Sequence, residues 1–351
     1  MAAKHSLFSA GFKVIAATRA DRWLRPLAQG AGVILTFHHV RPWRDRAFAP
    51  NRLLEITPEF LDRTLAVLRE EGFDLVPLDD VPGRLREGEG RRPFAALTFD
   101  DGYRDNLEHA GPVLRRHDAP WTLFVTTDFA DGGGRLWWLE LEEAVARLDR
   151  LRLHAGGIAF DLPSRTAPEK RAAFDTVYRR LRAGPEEALR AATAALAEEA
   201  GVDSRALCRS LCLDWSELVS LAADPKVTVG AHTLSHPMLA KHDEATARWE
   251  IGHGKRIIEE RLGRPVRHLA YPIGDATSAG PRDFRLAAEA GYATAVTTRP
   301  GHLFASHLDG LHALPRVSVN GLFQSDAAIR ALLSGLPLLV WNRGQRVRAP
   351  A

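Results

Sequence analysis

Two adjacent carboxylates stand at the end of an apolar run in this sequence. Asp100 and Asp101 follow residues 94–99 and precede Gly102. A buried charge without a partner is costly, so this placement requires a compensating group. Neighbouring strand side chains point to opposite faces, and a glycine turn can bring both carboxylates to one end of a barrel. They are candidates for acid–base chemistry or metal binding, the alternative being two helix-capping aspartates in an exposed loop.

A pair of histidines follows a second apolar run. His232 and His236 come after residues 227–231, and Pro237 follows the second imidazole. Because proline disfavours helical dihedral angles in the residue before it, we expect a loop at a strand end. Two imidazoles and one strand-end carboxylate, here Asp101, are the ligands of a catalytic divalent site with open positions for water and substrate. The spacing predicts one divalent metal ion, Zn by default, with Co, Mn or Ni as alternatives.

The elements that must position these residues alternate between short β-branched or aromatic runs and longer helical patterns. This alternation predicts parallel strands joined by helical crossovers, buried on both faces. Helix starts are marked by Thr57 before Pro58 and by the capping pattern that begins at Asp214. The predicted fold class is therefore α/β, a distorted (β/α)7–8 barrel resembling a TIM barrel. The predicted strands are 33–37, 73–77, 94–99, 121–126, 227–231, 267–271 and 292–297.

One stretch, from about 131 to 213, breaks the alternation. A glycine-rich start leads to Trp137 and Trp138 and then to helical sequence rich in Ala, Glu and Arg. It has one histidine and no cluster of ligands, so we interpret it as a largely helical insertion. The two indoles either stack on sugar rings or anchor the insertion to the barrel. The predicted organisation is an N-terminal helical segment (1–30), a barrel with this insertion (31–327), and a C-terminal helix and tail (328–351).

Composition narrows the class of protein. The 351 residues include 47 Lys and Arg against 44 Asp and Glu, with 45% hydrophobic residues, which are ordinary globular proportions. The basic residues are interleaved with acidic ones, so no nucleic-acid partner is expected. Two cysteines, Cys208 and Cys212, are too few for a disulfide framework and are interpreted as buried thiols.

The N-terminal part of the sequence bears on localisation. Charged residues interrupt the apolar stretch of residues 4–23, so it lacks the core of a signal peptide. No run reaches the roughly 18 apolar residues that span a bilayer. We therefore expect a cytoplasmic enzyme without a transmembrane segment. Residues 6–24 either pack on the barrel or lie on a membrane surface as an amphipathic helix, which would give peripheral membrane contact.

The ordered motifs resemble those of the polysaccharide deacetylases that share the NodB homology domain, carbohydrate esterase family 4. The resemblance covers roughly residues 30–130 and 214–320. It implies a NodB-type barrel in which Asp100 is the general base, and Asp101, His232 and His236 hold the metal. It also implies an oxyanion donor in the backbone N–H of Ile273, beside Tyr271. The matching segments are TFDDG at 98–102, HTLSHP at 232–237 and LAYPIG at 269–274.

The sequence departs from the commonest family pattern in two places. No clean Leu-x-His motif follows residue 300, whereas the strand at 33–37 ends in His38 and His39. This resembles the subgroup of poly-N-acetylglucosamine deacetylases, and it implies that His38 is the general acid, with His39 a packed partner. Many members place an arginine where this chain has Ala270. Arg316, in a last strand-like segment, is either its replacement or an exposed strand-end arginine.

The resemblance implies a hydrolase that removes the acetyl group of an N-acetylated sugar. The substrate partner would be a chitooligosaccharide or the precursor of a polysaccharide, placing the enzyme in carbohydrate metabolism. An alternative is hydrolysis of another non-peptide C–N bond in a small amide or ureide. An open groove would favour the glycan and a closed pocket the small molecule. An inactive carbohydrate-binding homologue is the least supported alternative, because every expected ligand and the base are present.

Overall fold

A computed structural model describes residues 2–88, 91–155 and 158–347. The strands within these residues are β1 (Gly32–Phe37), β2 (His39–Val40), β3 (Glu55–Ile56), β4 (Asp74–Leu75), β5 (Phe94–Phe99), β6 (Trp121–Val125), β7 (Arg150–Ala155), β8 (Ile158–Pro163), β9 (Val227–Ala231), β10 (His268–Ala270), β11 (Thr294–Pro300) and β12 (Leu314–Ser318).

The α-helices of the described residues are α1 (Ala2–Thr18), α2 (Ala20–Trp23), α3 (Arg25–Ala28), α4 (Pro58–Glu70), α5 (Val81–Glu87), α6 (Gly111–Arg116), α7 (Thr127–Ala130), α8 (Trp137–Arg147), α9 (Ala167–Ala183), α10 (Glu186–Glu199), α11 (Ser204–Leu211), α12 (Trp215–Ala222), α13 (Glu244–Leu262), α14 (Pro281–Glu289), α15 (Asp326–Leu333) and α16 (Leu336–Trp341). Short helical turns lie at Pro50–Leu54, Leu78–Asp80, Asn106–Ala110, Leu239–Lys241 and Ala305–Gly310.

A closed parallel barrel forms the centre of the molecule. Its strands follow the order β1, β12, β11, β10, β9, β6 and β5. The ring closes because β5 pairs with β1 over six residues, from Phe94 opposite Gly32 to Phe99 opposite Phe37. The structure thus confirms the α/β barrel, with seven strands in the ring as far as the chain is described. Catalytic groups of such barrels gather at the C-terminal ends of the strands.

The seventh strand of the ring differs from the prediction. The run at 73–77 forms only the two-residue strand β4, which pairs beside the start of β5 and stays outside the ring. Its place is taken by β12, the strand-like segment that contains Arg316. Pro315 and Arg316 interrupt the apolar character of this strand, which is why it was not counted among the strands. The buried guanidinium is accommodated there because it has a carboxylate partner.

Alternating side chains fill the two faces of the barrel wall. In β1, Val33, Leu35 and Phe37 belong to the apolar layer between the strands and the outer helices. Ile34 belongs to a separate apolar cluster inside the barrel, together with residues of β5, β6, β11 and β12. Even-numbered residues of β1 therefore face the interior, as the period of two in a strand requires. The outer helices begin where expected, with Thr57 capping α4 and a capping box at Asp214 before α12.

The insertion between β6 and β9 is less uniformly helical than predicted. Its helices α8 to α11 are accompanied by an antiparallel hairpin of β7 and β8, in which Arg150 pairs with Pro163. The alternation of apolar and polar residues in 150–155 was the overlooked strand signal. The insertion has its own apolar cluster, which includes both free cysteines, Cys208 and Cys212, in buried positions.

The two ends of the described chain pack together. Phe12 of α1 lies against Ala328 and Ala331 of α15, and its ring meets Phe323 edge-on at 5.2 Å. This packing supports the barrel-bound interpretation of the N-terminal segment, and membrane-surface contact stays a prediction. No helix in the described residues is both long and apolar enough to cross a membrane.

Candidate active site

The period of two in the barrel strands selects the side chains that reach the interior at the C-terminal end. Continuing the inward register of β1 past Ile34 gives Thr36 and then His38. In β5 the same register runs through Thr98 to Asp100, and in β12 it gives Arg316 and then Ser318. Five of these side chains line one cavity: Thr36, His38, Asp100, Arg316 and Ser318. The strand pattern therefore brings together groups from the first, middle and last parts of the chain.

Asp100 and Arg316 form a buried bidentate ion pair. Both guanidinium NH₂ groups donate to the carboxylate, each at 2.7 Å, and both side chains are almost inaccessible to solvent. Two further hydrogen bonds hold the guanidinium, because Arg316 Nε donates to Thr297 O at 2.9 Å and one NH₂ group also donates to Thr98 Oγ1 at 3.1 Å. Burial works to raise the pKa of Asp100, but Arg316 outweighs it and the pKa lies below its ordinary value. Asp100 is therefore a fixed, ionised carboxylate.

Asp101 faces the two histidines of the HTLSHP motif. Its Oδ1 lies 3.5 Å from His232 Nε2 and 3.3 Å from His236 Nε2, and all three residues are buried. His232 Nδ1 donates to Ala270 O at 2.7 Å, which leaves the Nε2 lone pair turned toward the carboxylate. Two acceptors facing each other in a buried site need a cation between them. Burial works to raise the pKa of Asp101, yet the imidazoles hold it well below its ordinary value.

The donor set fits a small divalent cation. A tetrahedral ion with bonds of about 2.0–2.2 Å to nitrogen and oxygen separates its ligand atoms by roughly 3.3 Å, the geometry preferred by zinc. The separations of 3.3 and 3.5 Å between Asp101 Oδ1 and the two imidazole nitrogens are close to this value. The hydrogen bond from His232 to a backbone carbonyl is the usual outer support of a metal-ligating imidazole. His236, whose buried Nδ1 has no partner in the described residues, is held less firmly.

Left-handed backbone conformations cluster at these loops. Asp101, Thr233, His236 and Ile273 have φ angles of 71°, 64°, 61° and 61°. Such conformations are unfavourable for residues with a side chain, most of all for a β-branched one such as Ile273. The positive φ of His236 agrees with the expectation that Pro237 keeps it off a helix. Tight turns thus aim the carboxylate and the imidazole into the cavity.

Glu250 of α13 fixes the histidine loop. Its Oε2 accepts hydrogen bonds from the backbone N–H of Leu234 at 3.0 Å and of Ser235 at 2.9 Å, and its Oε1 accepts from Ser235 Oγ at 2.7 Å. From the insertion, Arg190 donates to Ser235 O at 3.1 Å. The role of Glu250 has no signal in the sequence, because an acidic residue within a charged helix is not marked as a loop anchor.

The histidines after β1 occupy different positions. His38 is half-buried and lines the cavity, and burial lowers its pKa against the opposing influence of Asp100 and Asp101. His39 is buried outside the cavity, with Nδ1 2.6 Å from Asp105 Oδ2 and its ring stacked on Tyr103 at 3.6 Å. Asn106 completes the support by donating to His38 O at 2.7 Å. The structure thus places His38 at the site and His39 in a packed supporting position.

The Tyr-Pro-Ile-Gly loop divides its residues between site and core. Ile273 lines the cavity, and its backbone N–H makes no hydrogen bond with any other described residue. Tyr271, in contrast, is fully buried in the core, where its hydroxyl donates to His312 O at 2.8 Å. The structure therefore brings Ile273 to the other site residues but leaves the Tyr271 side chain outside the cavity. The alternation of strand side chains is the sequence signal for this difference: Ala270 faces the interior of the barrel, so its neighbour Tyr271 faces outward.

The cavity has a volume of about 370 Å³. Trp137 and Trp138, at the start of α8, form part of its wall, and Trp138 lies 4.9 Å from the His236 ring. Trp137 stacks on Tyr178 of α9 at 5.5 Å. The two interpretations of the indoles are therefore compatible, because both rings join the insertion to the barrel and both present surface to the cavity.

Comparison with known proteins identifies relatives of this arrangement. The family model described as "Polysaccharide deacetylase" matches residues 87–295. This range contains Asp100, Asp101 and the histidine loop, whereas His38 precedes it and Arg316 follows it. No curated protein matches the sequence.

Solved structures share the fold at low sequence identity. The deacetylase PplD of Streptococcus pyogenes, in complex with acetate, has a TM-score of 0.55 at 18% identity, over 82% of this chain and 92% of that one. A de-N-acetylase from Aggregatibacter actinomycetemcomitans has a TM-score of 0.54 at 12% identity, over 86% and 99%. IcaB from Ammonifex degensii has a TM-score of 0.52 at 16% identity, over 87% and 97%. At these identities the likeness establishes a shared fold.

Proposed function

The chain belongs to the polysaccharide deacetylase family, and we propose that it is a metal-dependent N-deacetylase of N-acetylated sugars. The reaction class is hydrolysis of a non-peptide C–N bond, with acetate and an amino sugar as products. The proposed substrate is an N-acetylated oligosaccharide or polysaccharide. The proposed cofactor is one divalent ion, zinc by preference, held by Asp101, His232 and His236.

The observation that carries this proposal is the division of labour between the adjacent aspartates. Asp101 points to two imidazole nitrogens at 3.3 and 3.5 Å, while Asp100 is paired with Arg316 at 2.7 Å. One carboxylate is thus placed to ligate a cation, and the other is held ionised beside it. A divalent ion in this place acts as a Lewis acid, acidifying water and polarising the amide carbonyl. Asp100 then accepts the proton of the attacking water on a carboxylate oxygen.

The backbone N–H of Ile273 is the proposed donor to the oxyanion of the tetrahedral intermediate. It makes no other hydrogen bond among the described residues, and its strained backbone is fixed, since Ile273 O accepts from Thr298 Oγ1 at 2.7 Å. A donor that is already oriented costs little reorganisation when charge develops. The Tyr271 side chain takes no part in this proposal.

His38 is the proposed acid for the departing amine. Because burial lowers its pKa, the imidazole enters the reaction neutral at neutral pH. It therefore acts as an acid only after taking up the proton that Asp100 accepted from the attacking water, and the negative charge of the nearby carboxylates favours that uptake. The proton then passes from the imidazole to the amine nitrogen as the C–N bond breaks.

A second candidate, hydrolysis of a small amide or ureide, is favoured by the small volume of the cavity. Its volume of about 370 Å³ lies near the lower end of the range for small-ligand pockets, which is about 300–1,000 Å³. The two candidates differ in the group bonded to the reacting amide, which is a sugar ring in the first and a smaller group in the second.

The test is acetate release from purified protein with N-acetylglucosamine and its oligomers, with and without a chelator. A parallel arm measures ammonia or amine release from small amides and ureides. Chelator-sensitive acetate release from a sugar supports the proposal. Protein that binds zinc but releases acetate from no sugar would overturn it, and activity on a ureide would select the second candidate.

A further inference from the structure

The insertion makes contacts with loops at the C-terminal end of the barrel that follow other strands. It leaves the ring after β6, yet Asn51, in the segment that follows β1, donates to Trp138 O at 3.0 Å and to Glu142 Oε2 at 2.8 Å. The ring of Phe48 meets Phe174 of α9 edge-on at 6.2 Å on the same side. The insertion is thereby fixed to a strand end two positions away in the ring, with β5 between.

The insertion is also bonded in the opposite direction. Arg182 of α9 donates to Asp275 at 2.8 Å, in the loop after β10, and Arg190 of α10 donates to Ser235 O, in the loop after β9. In the ring order, β10 lies two strands from β6 on the side away from β1. Contacts of the insertion therefore span the ends of β1, β5, β6, β9 and β10.

The rim continues beyond the insertion. Gly321, which follows β12, donates to Leu53 O at 3.0 Å in the segment after β1. Hydrogen-bonded loops thus run over six consecutive strand ends, from β12 to β10, and Thr298 near the end of β11 donates to Ile273 O in the loop after β10. An internal unit of an extended polymer needs an exit on each side of the reacting sugar. Loops that leave at most one gap around the cavity would admit the end of a glycan chain but not an internal unit.

The wall offers the chemistry of a sugar-binding surface. Trp137, Trp138, Phe174 and Tyr178 of the insertion line the cavity, and flat aromatic rings suit the apolar face of a pyranose.

The wall, as far as the structure describes it, has no free basic side chain that could pair with an anionic substrate end. Among the lining residues the one Arg or Lys side chain is Arg316, and both of its NH₂ groups are held by Asp100. A phosphate or carboxylate in the cavity would find no free side-chain cation of the described wall.

We propose that the cavity takes the terminal unit of a neutral N-acetylated glycan, so that the enzyme removes an acetyl group from a chain end and not from internal units. This inference rests on the proposed deacetylase function and names its substrate class. Water adds to the acetamide carbon, the C–N bond breaks, and acetate leaves while the terminal amine takes up a proton.

The test uses the zinc-loaded full chain and neutral N-acetylglucosamine oligomers of two to six units. Acetate is counted per chain, and the modified unit is located by tandem mass spectrometry. We expect one acetate per chain, from a terminal unit, with a rate per chain that is the same for long and short oligomers. Acetate from internal units would overturn this inference alone. Acetate from none of the oligomers would overturn the proposed function and this inference with it.

Two further comparisons sharpen the result. Asn51→Ala releases the segment after β1 from the insertion, and we expect it to raise the internal share of deacetylation at least tenfold. Arg150→Ala, which removes an exposed ion pair with Asp161 in the hairpin of the same insertion, should leave the pattern unchanged. With unaltered protein, a dimer phosphorylated on its terminal unit should react at least tenfold more slowly than the neutral dimer. Equal rates would contradict the neutral pocket, whether or not the Asn51 variant folds.

Discussion

Arg316 reaches across the barrel interior to hold both oxygens of Asp100, which lies 216 residues earlier in the chain. Removing one partner of a buried pair leaves an uncompensated charge, and this costs about 3–5 kcal/mol. We therefore expect Arg316→Ala to lower the free energy of unfolding by that amount and to raise the pKa of Asp100. Chemical denaturation measures the first effect. The double variant with Asp100→Asn should recover much of the loss, and additive losses would contradict a direct coupling.

The two aspartates should respond differently to the same substitution. Asp100→Asn removes the proposed base but no ligand, so acetate release should fall about 10²–10⁴-fold while zinc binding is retained. Asp101→Asn removes the only carboxylate of the donor set and should weaken zinc binding strongly. Zinc content after dialysis, measured beside acetate release, distinguishes them. Loss of zinc in the Asp100 variant would mean that the two roles are exchanged.

His38 should be required for turnover but not for the fold. Its side chain is half-buried and lines the cavity, so His38→Ala should lower kcat about 10²–10⁴-fold with little change in zinc content or unfolding midpoint. The matched control is His154→Ala, an exposed position on the hairpin of the insertion. An unchanged rate in the His38 variant would refute the assignment of the acid to the first strand.

Glu250 should act on the metal site through the backbone of the histidine loop. Glu250→Gln weakens acceptance from two N–H groups and a hydroxyl, which hold the loop between His232 and His236. Outer supports of metal ligands typically contribute about 10–100-fold in affinity. We expect a loss of that size in a zinc titration. Glu260→Gln, an exposed position on the same helix, is the control. Equal zinc affinities of the two variants would contradict a positioning role.

His302 should make stability depend on pH outside the active site. Its Nδ1 accepts from Gly30 N–H at 3.2 Å and its Nε2 donates to Leu332 O at 2.9 Å, which fixes the neutral ring. Burial lowers its pKa from 6.5 to about 4. Because the unfolded chain binds the proton first, stability should fall as pH falls from 6.5 to 4, by about 3 kcal/mol from this group. In denaturation at several pH values, His302→Gln should show a shallower decline, and an equally steep one would contradict the assignment.

The site could be predicted from the sequence wherever a residue directly ends a strand. His38, Asp100 and His232 each follow an apolar run, and the period of two then decides which side chains enter the barrel. Arg316 could be named as a candidate, but its role could not be decided from sequence, because its partner lies 216 residues away in the chain and Pro315 and Arg316 interrupt the apolar run around them. Asn51 and Glu250 could not be found, since their roles depend on how the insertion and an outer helix meet loops far away in sequence.

The turns at Asp101, His236 and Ile273 hold backbone that ordinary residues avoid. Each such residue costs on the order of 1–3 kcal/mol, which the surrounding barrel must offset. Protein stability and the geometry of the site therefore make opposite demands on the backbone at these positions. Replacement of Ile273 by glycine would relax the chain and favour a more heat-resistant protein, while loosening the orientation of the backbone N–H proposed as oxyanion donor. At Asp101 and His236 the same replacement would remove the ligating side chain itself.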